Sequence, residues 1–166
     1  MKRLFLLLIL AFVLISCGEK GEGDPFSVFS GEFEATVSMS CEGNISVYTY
    51  SSADKCIRFV SPEELTGYSM VSRDGNVYLS YGDISVELTE YSSRLMTVTE
   101  AVFSGTRDSI TSINAEKDGE TTVTVVTAEN CEYRFSSDGI PISVMGNISG
   151  VSFEMTFTDF SVGEAK

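Results

Sequence analysis

The chain has 166 residues, enough for one domain with a substantial hydrophobic core. Eleven lysine and arginine residues face 24 acidic residues, for a formal net charge of −13. A surface this acidic repels phosphate backbones, which excludes nucleic acid as a partner. The sequence has no histidine, and this removes the commonest general base and metal ligand and rules out Ser-His-Asp and Cys-His catalysis. We therefore expect a binding or structural protein, not an enzyme, with no metal or other cofactor.

The N-terminal residues follow the order of segments that is typical of an export signal. Lys2 and Arg3 precede an apolar run over residues 4–15, which is shorter than the about 20 residues of a membrane-spanning helix. The run ends in Leu-Ile-Ser before Cys17, which resembles the lipobox of bacterial lipoproteins. That resemblance implies removal of residues 1–16 and a diacylglyceryl group on Cys17. A plain secretory signal is the alternative, and it fits less well because Leu14 is not small.

Lipidation would fix the location of the protein. Two acyl chains on Cys17 would anchor the chain stably to the outer leaflet of the cell membrane, or to the outer membrane of a bacterium with two membranes. Because the domain is acidic, attachment depends on these chains and not on a basic patch. Residues 17–30 begin with glycines and acidic residues, which predicts a flexible tether, and the folded domain is expected over residues 31–163.

The first half of the domain alternates between apolar and polar residues. An apolar side chain occupies every second position over residues 33–41, which indicates a half-buried strand. A second strand follows over residues 45–50, and residues 56–60 form a third. Both faces of the second strand carry apolar bulk, with Val47 on one and Tyr48 on the other, so the pattern leaves its buried face open.

Turn signals divide the rest into hairpins. Ser61-Pro62-Glu63-Glu64 predicts a single helical turn, because Ser61 can cap it and Pro62 suits the first helical position. Hairpin turns are predicted at Asp74-Gly75, Gly82-Asp83, Asp118-Gly119 and Asp138-Gly139. The last strand is the clearest, with apolar side chains at every second position over residues 151–157.

Between residues 91 and 117 the period of two fades. Leu95, Val98 and Val102 have helical spacing, so we expect a helix there, capped by Ser92 or Ser93. A second short helix is expected to begin near Asp108 and to include Ile110 and Ile113. Together these elements predict a mainly β fold, a curved antiparallel meander or open half-barrel of about nine to eleven strands with one or two short helices.

Three segments resemble the LolA and LppX-like half-barrels of the lipoprotein-carrier superfamily. They are the strand and turn over residues 57–68, the hairpin over 74–81, and the ending over 133–142 with Phe157-Thr158-Asp159-Phe160. Clostridial lipoproteins, including a spore-germination type, are similar in the same places. The resemblance implies an open, curved antiparallel sheet whose apolar inner face, covered by helices, holds acyl chains in the carriers. Lipidated members of the superfamily also act as acceptors or as stabilising partners of envelope proteins.

Carried over to this chain, the resemblance predicts ligand-lining side chains. They are Phe33, Val37, Met39, Val47, Leu79, Val86, Val125, Phe153, Met155 and Phe157. An ordinary hydrophobic core is the competing interpretation of the same pattern. The functions that follow are an anchored protein that binds an apolar ligand such as an acyl chain, or a structural lipoprotein that binds another envelope protein.

Cysteines and aspartates complete the set of candidate sites. Cys41, Cys56 and Cys131 remain after lipidation, so at most one disulfide forms. A Cys41–Cys56 disulfide is disfavoured, because the two residues lie at opposite ends of the predicted sheet, farther apart than a disulfide spans. A Cys56–Cys131 disulfide stays possible. Cys56 is also the best candidate for a reactive thiol. The hairpin aspartates lack the closely spaced oxygen ligands of a calcium loop, so we interpret them as turn residues.

Overall fold

A computed structural model describes residues 23–90 and 93–163, and these form one open antiparallel sheet of eleven strands. The strands are β1 (Phe33–Cys41), β2 (Asn44–Ser51), β3 (Cys56–Ser61), β4 (Tyr68–Arg73), β5 (Asn76–Tyr81), β6 (Ile84–Glu87), β7 (Ile110–Asp118), β8 (Thr121–Ala128), β9 (Cys131–Phe135), β10 (Pro141–Ile148) and β11 (Val151–Val162). The predicted fold class, a mainly β open half-barrel, is confirmed.

The strand order is not a single meander. It runs β6-β5-β4-β3-β2-β1-β11-β10-β9-β8-β7, so two meanders meet where β1 pairs with β11. The connection from β6 to β7 must therefore pass from one edge of the sheet to the other. This connection contains the helix α1 (Arg94–Phe103), which lies across one face of the sheet. We call the face that α1 covers the inner face.

The predicted hairpin turns form where the sequence places them. Asp74 and Gly75 join β4 to β5 with φ values of 52° and 82°. Glu42 and Gly43 join β1 to β2 in the same way, with φ values of 51° and 82°. Two consecutive left-handed residues match the right-handed twist of the flanking strands, which is why Gly occupies the second position.

The helical predictions are partly confirmed. The helix α1 forms and buries Met96, Val98 and Val102, but the Ser93 hydroxyl donates to the Glu90 carbonyl instead of capping the helix. The predicted single turn after β3 forms as the 3₁₀ turn Glu63–Leu65, but Pro62 occupies the cap position in place of Ser61 and no side chain caps the turn. The second predicted helix is wrong, since its start is one 3₁₀ turn at Arg107–Ser109.

Pairing with β8 explains the failure of the second helix. Ile110 and Ile113 lie in β7, opposite Ala128 and Val126. Both isoleucines are β-branched, and such side chains pack better on a pleated surface than in a helix.

The folded domain begins earlier than the sequence indicates. Pro25–Phe29 forms a 3₁₀ turn, in which the Asp24 carboxylate accepts a hydrogen bond of 3.0 Å from the Phe26 backbone N–H. Phe26 and Phe29 are buried in the core, so this part of the predicted tether belongs to the domain. Cys17 and the predicted signal peptide lie outside the described residues. Within the described part of the chain, no helix is long and apolar enough to span a bilayer.

Candidate functional site

The helix α1 closes the middle of the inner face with a small number of defined contacts. Phe103 at its end stacks on Tyr50 with 4.9 Å between ring centroids and meets the edge of Phe33 at the same distance. A hydrogen bond of 2.8 Å joins the hydroxyls of Tyr48 and Thr99. The Tyr133 hydroxyl donates to the Val102 carbonyl over 3.1 Å. These contacts fill the space above the central strands with side chains.

Burial of these tyrosines has an electrostatic consequence. Loss of solvation raises the pKa of the Tyr48 and Tyr133 hydroxyls above the usual range. Burial, followed by the nearby Glu100 carboxylate, raises the pKa of Tyr50 to about 12. All three tyrosines are therefore neutral hydrogen-bonding and packing groups at physiological pH.

Most predicted lining residues lie on the inner face, but their surroundings differ. Directly paired residues in an antiparallel sheet project to the same side, so the register assigns each side chain to a face. Five are buried under α1 and the N-terminal 3₁₀ turn, and Phe157 is half-buried beside them. The five are Phe33, Val37, Met39, Phe153 and Met155. Leu79 and Val86 lie on the inner face as well, outside this filled region.

Val47 and Val125 require a correction, because they lie on the outer face. Val47 pairs with Ser38, and the neighbouring Tyr48 points inward to Thr99. Val125 pairs with Arg134, whose side chain forms ion pairs at the outer surface. Both strands carry apolar residues on two faces, so alternation alone could not tell which face is covered.

One cross-strand row shows where the covering ends. It runs along the inner face through β3, β4, β5 and β6 as Ile57, Met70, Leu79 and Val86. Ile57 is 0% exposed, Met70 and Leu79 are half-buried, and Val86 is 59% exposed. Chemistry along the row does not change, since every member is apolar. The exposure therefore reflects a covering layer that stops short of the sheet edge.

The uncovered part of the inner face is a continuous apolar surface, which we call the open wing. A second row through the wing pairs Tyr68 with Tyr81, whose ring centroids are 4.7 Å apart, and Tyr81 with Ile84. The open wing consists of Tyr68, Met70, Val77, Leu79, Tyr81, Ile84 and Val86. No charged side chain lies among these inner-face positions of β4–β6. The sequence analysis found only Leu79 and Val86 of this set, although the alternation in β4–β6 could have identified the others.

Clefts beside α1 have a different character. One of about 240 Å³ lies between the helix start and the β1–β2 hairpin, and one of about 340 Å³ continues it toward the β10–β11 hairpin. Arg94 lines both clefts and lies 4.0 Å from the Glu42 carboxylate. A groove of about 520 Å³ beside Pro25 and Val28 is bordered by aspartates and serines. Charged or polar rims make these clefts less suited to a wholly apolar ligand than the open wing.

The cysteines and acidic residues do not assemble into a site. Cys41, Cys56 and Cys131 are free thiols. Burial is the largest effect on each and raises the pKa of all three, which lowers their thiolate fraction at neutral pH. Among residues 23–90 and 93–163, no three Cys, Asp or Glu side chains come together in a way that could hold a metal ion.

The fold and this surface define a class of protein, an open antiparallel half-barrel with one apolar wing uncovered. The chain is similar to the lipoprotein LppX from Mycobacterium tuberculosis, with 11% identity, coverage of 85% of this chain and 94% of that chain, and a TM-score of 0.47. It is also similar to a LolA superfamily protein from Nitrosomonas europaea, with 10% identity, coverage of 87% and 96%, and a TM-score of 0.42. No protein-family model and no curated protein matches the chain.

A third similar structure is the Pseudomonas aeruginosa MucA/MucB complex. The identity is 10%, with coverage of 86% of this chain, 55% of that chain and a TM-score of 0.41. At identities this low the similarity describes the fold and not the function. A LolA superfamily protein and LppX, which represent the family that the sequence resembles, are thus among the similar structures, each with a TM-score below 0.5.

Proposed function

We propose that this chain is a lipid-anchored extracytoplasmic protein that binds an apolar ligand, an acyl chain or a lipid, on its open wing. The supporting observation is the row from Ile57 to Val86, along which apolar side chains pass from buried to exposed. Contiguous exposed apolar surface is unfavourable in water and marks binding sites on soluble domains. The proposed role is binding and not catalysis, because the wing carries no charged side chain and the sequence lacks histidine, the commonest general base.

An acyl chain fits the wing in chemistry. The inner-face side chains of β4–β6 are apolar or carry an uncharged hydroxyl. An aliphatic chain docked there would therefore cover no charged group. Each buried methylene contributes about 0.8 kcal/mol before the costs of ordering the ligand. A chain of about ten methylenes would therefore offset the ordering cost and give measurable affinity.

The wing can be tested with a matched pair of variants. Ile84 is 69% exposed on the inner face, and Ile45 is 66% exposed on the outer face opposite Ser40. We expect Ile84→Gln to weaken binding of a fluorescent fatty acid at least about fivefold, as expected for removal of about 1 kcal/mol of apolar contact, while Ile45→Gln leaves it unchanged. The measurement uses residues 23–166, which contain all eleven strands.

Native mass spectrometry of the same protein provides the second readout. Co-purification of lipid from the wild type, reduced in Ile84→Gln, would support the proposal. Equal fatty-acid affinities in wild type, Ile84→Gln and Ile45→Gln would contradict the wing as the site. Absence of any lipid and of fatty-acid binding would contradict the ligand altogether.

The lipid anchor is a separate part of the proposal. It is supported by the positive pair, the apolar run and the Leu-Ile-Ser sequence before Cys17. Labelled palmitate should be incorporated into the wild-type chain in a bacterial host and not into Cys17→Ser. Incorporation into both chains would contradict Cys17 as the lipidated residue.

A partner-binding role in the cell envelope is the second candidate. The observation that favours it is the free edge of the sheet at β6, next to the exposed apolar side chains of the open wing.

A further inference from the structure

The sheet has two edges in the described part of the chain, and only one of them carries a charged side chain on its inner face. At the β7 edge, Lys117 pairs with Thr122 on the inner face, and Glu116 lies on the outer face bound to Arg134 at 3.2 Å. Charged side chains that point inward on an edge strand oppose the addition of a further strand. The β6 edge has no such residue on its inner face, where it carries Ile84 and Val86.

Among the described residues, no strand pairs with the outer edge of β6, so its outward backbone groups can pair with an added strand. The Leu88 N–H donates to the Val77 carbonyl over 2.8 Å, and Leu79 pairs with Val86 two residues further along. In an antiparallel pair, hydrogen-bonded and non-hydrogen-bonded positions alternate. Ser85 and Glu87 therefore direct their N–H and C=O groups away from β5, at the edge of the sheet.

The side chains at the β6 edge indicate which types of residue an added strand would carry. On the inner face, Ile84 and Val86 are exposed apolar residues. On the other side, the Glu87 carboxylate lies at the end of the strand and Asp83 in the turn before it, both exposed, and Glu90 follows. A complementary strand would place apolar residues on the inner face and lysine or arginine next to these carboxylates.

A second copy of this chain is disfavoured at the same edge by its net charge and, in the register centred on Ser85, by direct repulsion. A face-preserving antiparallel register centred on Ser85 would pair Ile84 with Val86 of the copy, which is favourable. The same register would place Glu87 opposite Asp83 of the copy, twice by symmetry. Like charges directly opposite each other destabilise a strand pair, and the formal net charge of −13 adds to the repulsion.

We propose that β6 accepts an extended segment of another envelope protein, with alternating apolar and basic residues, as a twelfth antiparallel strand. This goes beyond the binding of an apolar ligand, because it uses the backbone of the edge and not only the face. The segment would also extend the apolar rows of the open wing by one strand.

Synthetic peptides test this partner chemistry. The full-length chain is reconstituted in phosphatidylcholine vesicles, and binding of a labelled ten-residue peptide of alternating valine and lysine is measured by fluorescence anisotropy. We expect at least tenfold tighter binding than for a scrambled peptide of the same composition. Equal affinity for both peptides would reduce the interaction to net charge and overturn the proposal.

A proline substitution tests the edge itself. The Ser85 N–H points away from β5, so Ser85→Pro removes an outward donor and leaves the backbone hydrogen bonds between β5 and β6 in place. It also removes the 3.0 Å hydrogen bond that the Ser80 hydroxyl donates to the Ser85 hydroxyl, which Ser85→Thr can retain. We expect Ser85→Pro to weaken peptide binding at least tenfold, with Ser85→Thr unchanged. Fatty-acid binding measured in parallel should persist in Ser85→Pro, which separates failure of the edge from failure of the apolar face.

Two further measurements distinguish loss of the edge interaction from a disturbed hairpin and from self-association. Val86→Lys copies the inward-pointing charge of β7 and should abolish peptide binding even if Ser85→Pro disturbs the hairpin. Unchanged peptide affinity in folded Val86→Lys would overturn the proposal. So would sedimentation showing a wild-type dimer that Ser85→Pro dissociates, because the occupant would then be a second copy.

Discussion

The centre of the sheet and the open wing share the same alternation of apolar and polar residues. The apolar side chains are buried in the centre and half-buried to exposed in the wing. In the centre, Val37 and Met155 are completely buried, whereas Ile84 and Val86 in the wing are largely exposed. The difference lies in the cover. Ten helical residues span about 15 Å, while eleven strands are about 48 Å wide, so α1, which contacts Tyr48, Tyr50 and Tyr133, covers only part of the sheet. An apolar face without a cover is therefore a consequence of one short helix in the connection from β6 to β7.

The largest expected effect contrasts one aromatic residue from each region. Phe135 is buried in the aromatic cluster with Phe26 and Tyr133, so Phe135→Ala should lower the free energy of unfolding by about 3–5 kcal/mol. Tyr81→Ala in the wing should lower it by less than about 1 kcal/mol. Urea denaturation followed by circular dichroism measures both. A cost of about 3 kcal/mol for Tyr81→Ala would mean that the wing is covered after all.

A glycine in the covered region gives the next largest effect. A Cβ on Gly146 would collide with the Asn130 carbonyl oxygen and lie 2.9 Å from the Cys131 Cα, both in the backbone of the neighbouring hairpin. We expect Gly146→Ala to cost about 3 kcal/mol, because backbone atoms must shift. Gly31 has open space around it, so Gly31→Ala is the control and should change stability by less than about 0.5 kcal/mol. A neutral Gly146→Ala would indicate that this close approach is relaxed in solution.

Alkaline pH should loosen the covered region through Tyr50. Its pKa is about 12 in the folded chain and close to 10 when unfolded, so the unfolded state loses the proton first. Stability from this group is complete below pH 10 and is lost as pH rises to 12, at about 1.4 kcal/mol per pH unit. Urea titrations of the wild type and Tyr50→Phe should diverge only in this window. Parallel curves up to pH 11.5 would contradict the burial of this hydroxyl.

The smallest effect concerns the link between α1 and the sheet. Tyr48→Phe removes the hydrogen bond to Thr99 and should cost about 1 kcal/mol, as should Thr99→Val. The double variant should cost less than the sum of the two, because both lose the same bond. Strict additivity in denaturant unfolding would show that the two hydroxyls do not interact, and that packing alone holds the helix.

Local chemistry allowed much of the fold to be predicted. Asp74-Gly75 marks a hairpin because these residues adopt left-handed backbone angles at low cost, and the alternation over residues 33–41 and 151–157 marks half-buried strands. Two local predictions were wrong for identifiable reasons. Ile113 pairs with Val126 in a strand instead of forming a helix, and Phe26 packs into the core although it follows a polar, glycine-rich stretch.

By itself, the sequence determined the strands other than β7, the hairpin turns and the acidic charge, since these depend on residues that are neighbours along the chain. Only the tertiary structure decided that β1 pairs with β11, with Thr36 opposite Asp159, and that Tyr48 rather than Val47 faces inward. It also decided that the apolar inner face is exposed in the open wing and covered in the centre, which is why we propose the wing as the binding site. The physical reason is that coverage depends on where α1 crosses the sheet, which follows from pairing between strands more than one hundred residues apart.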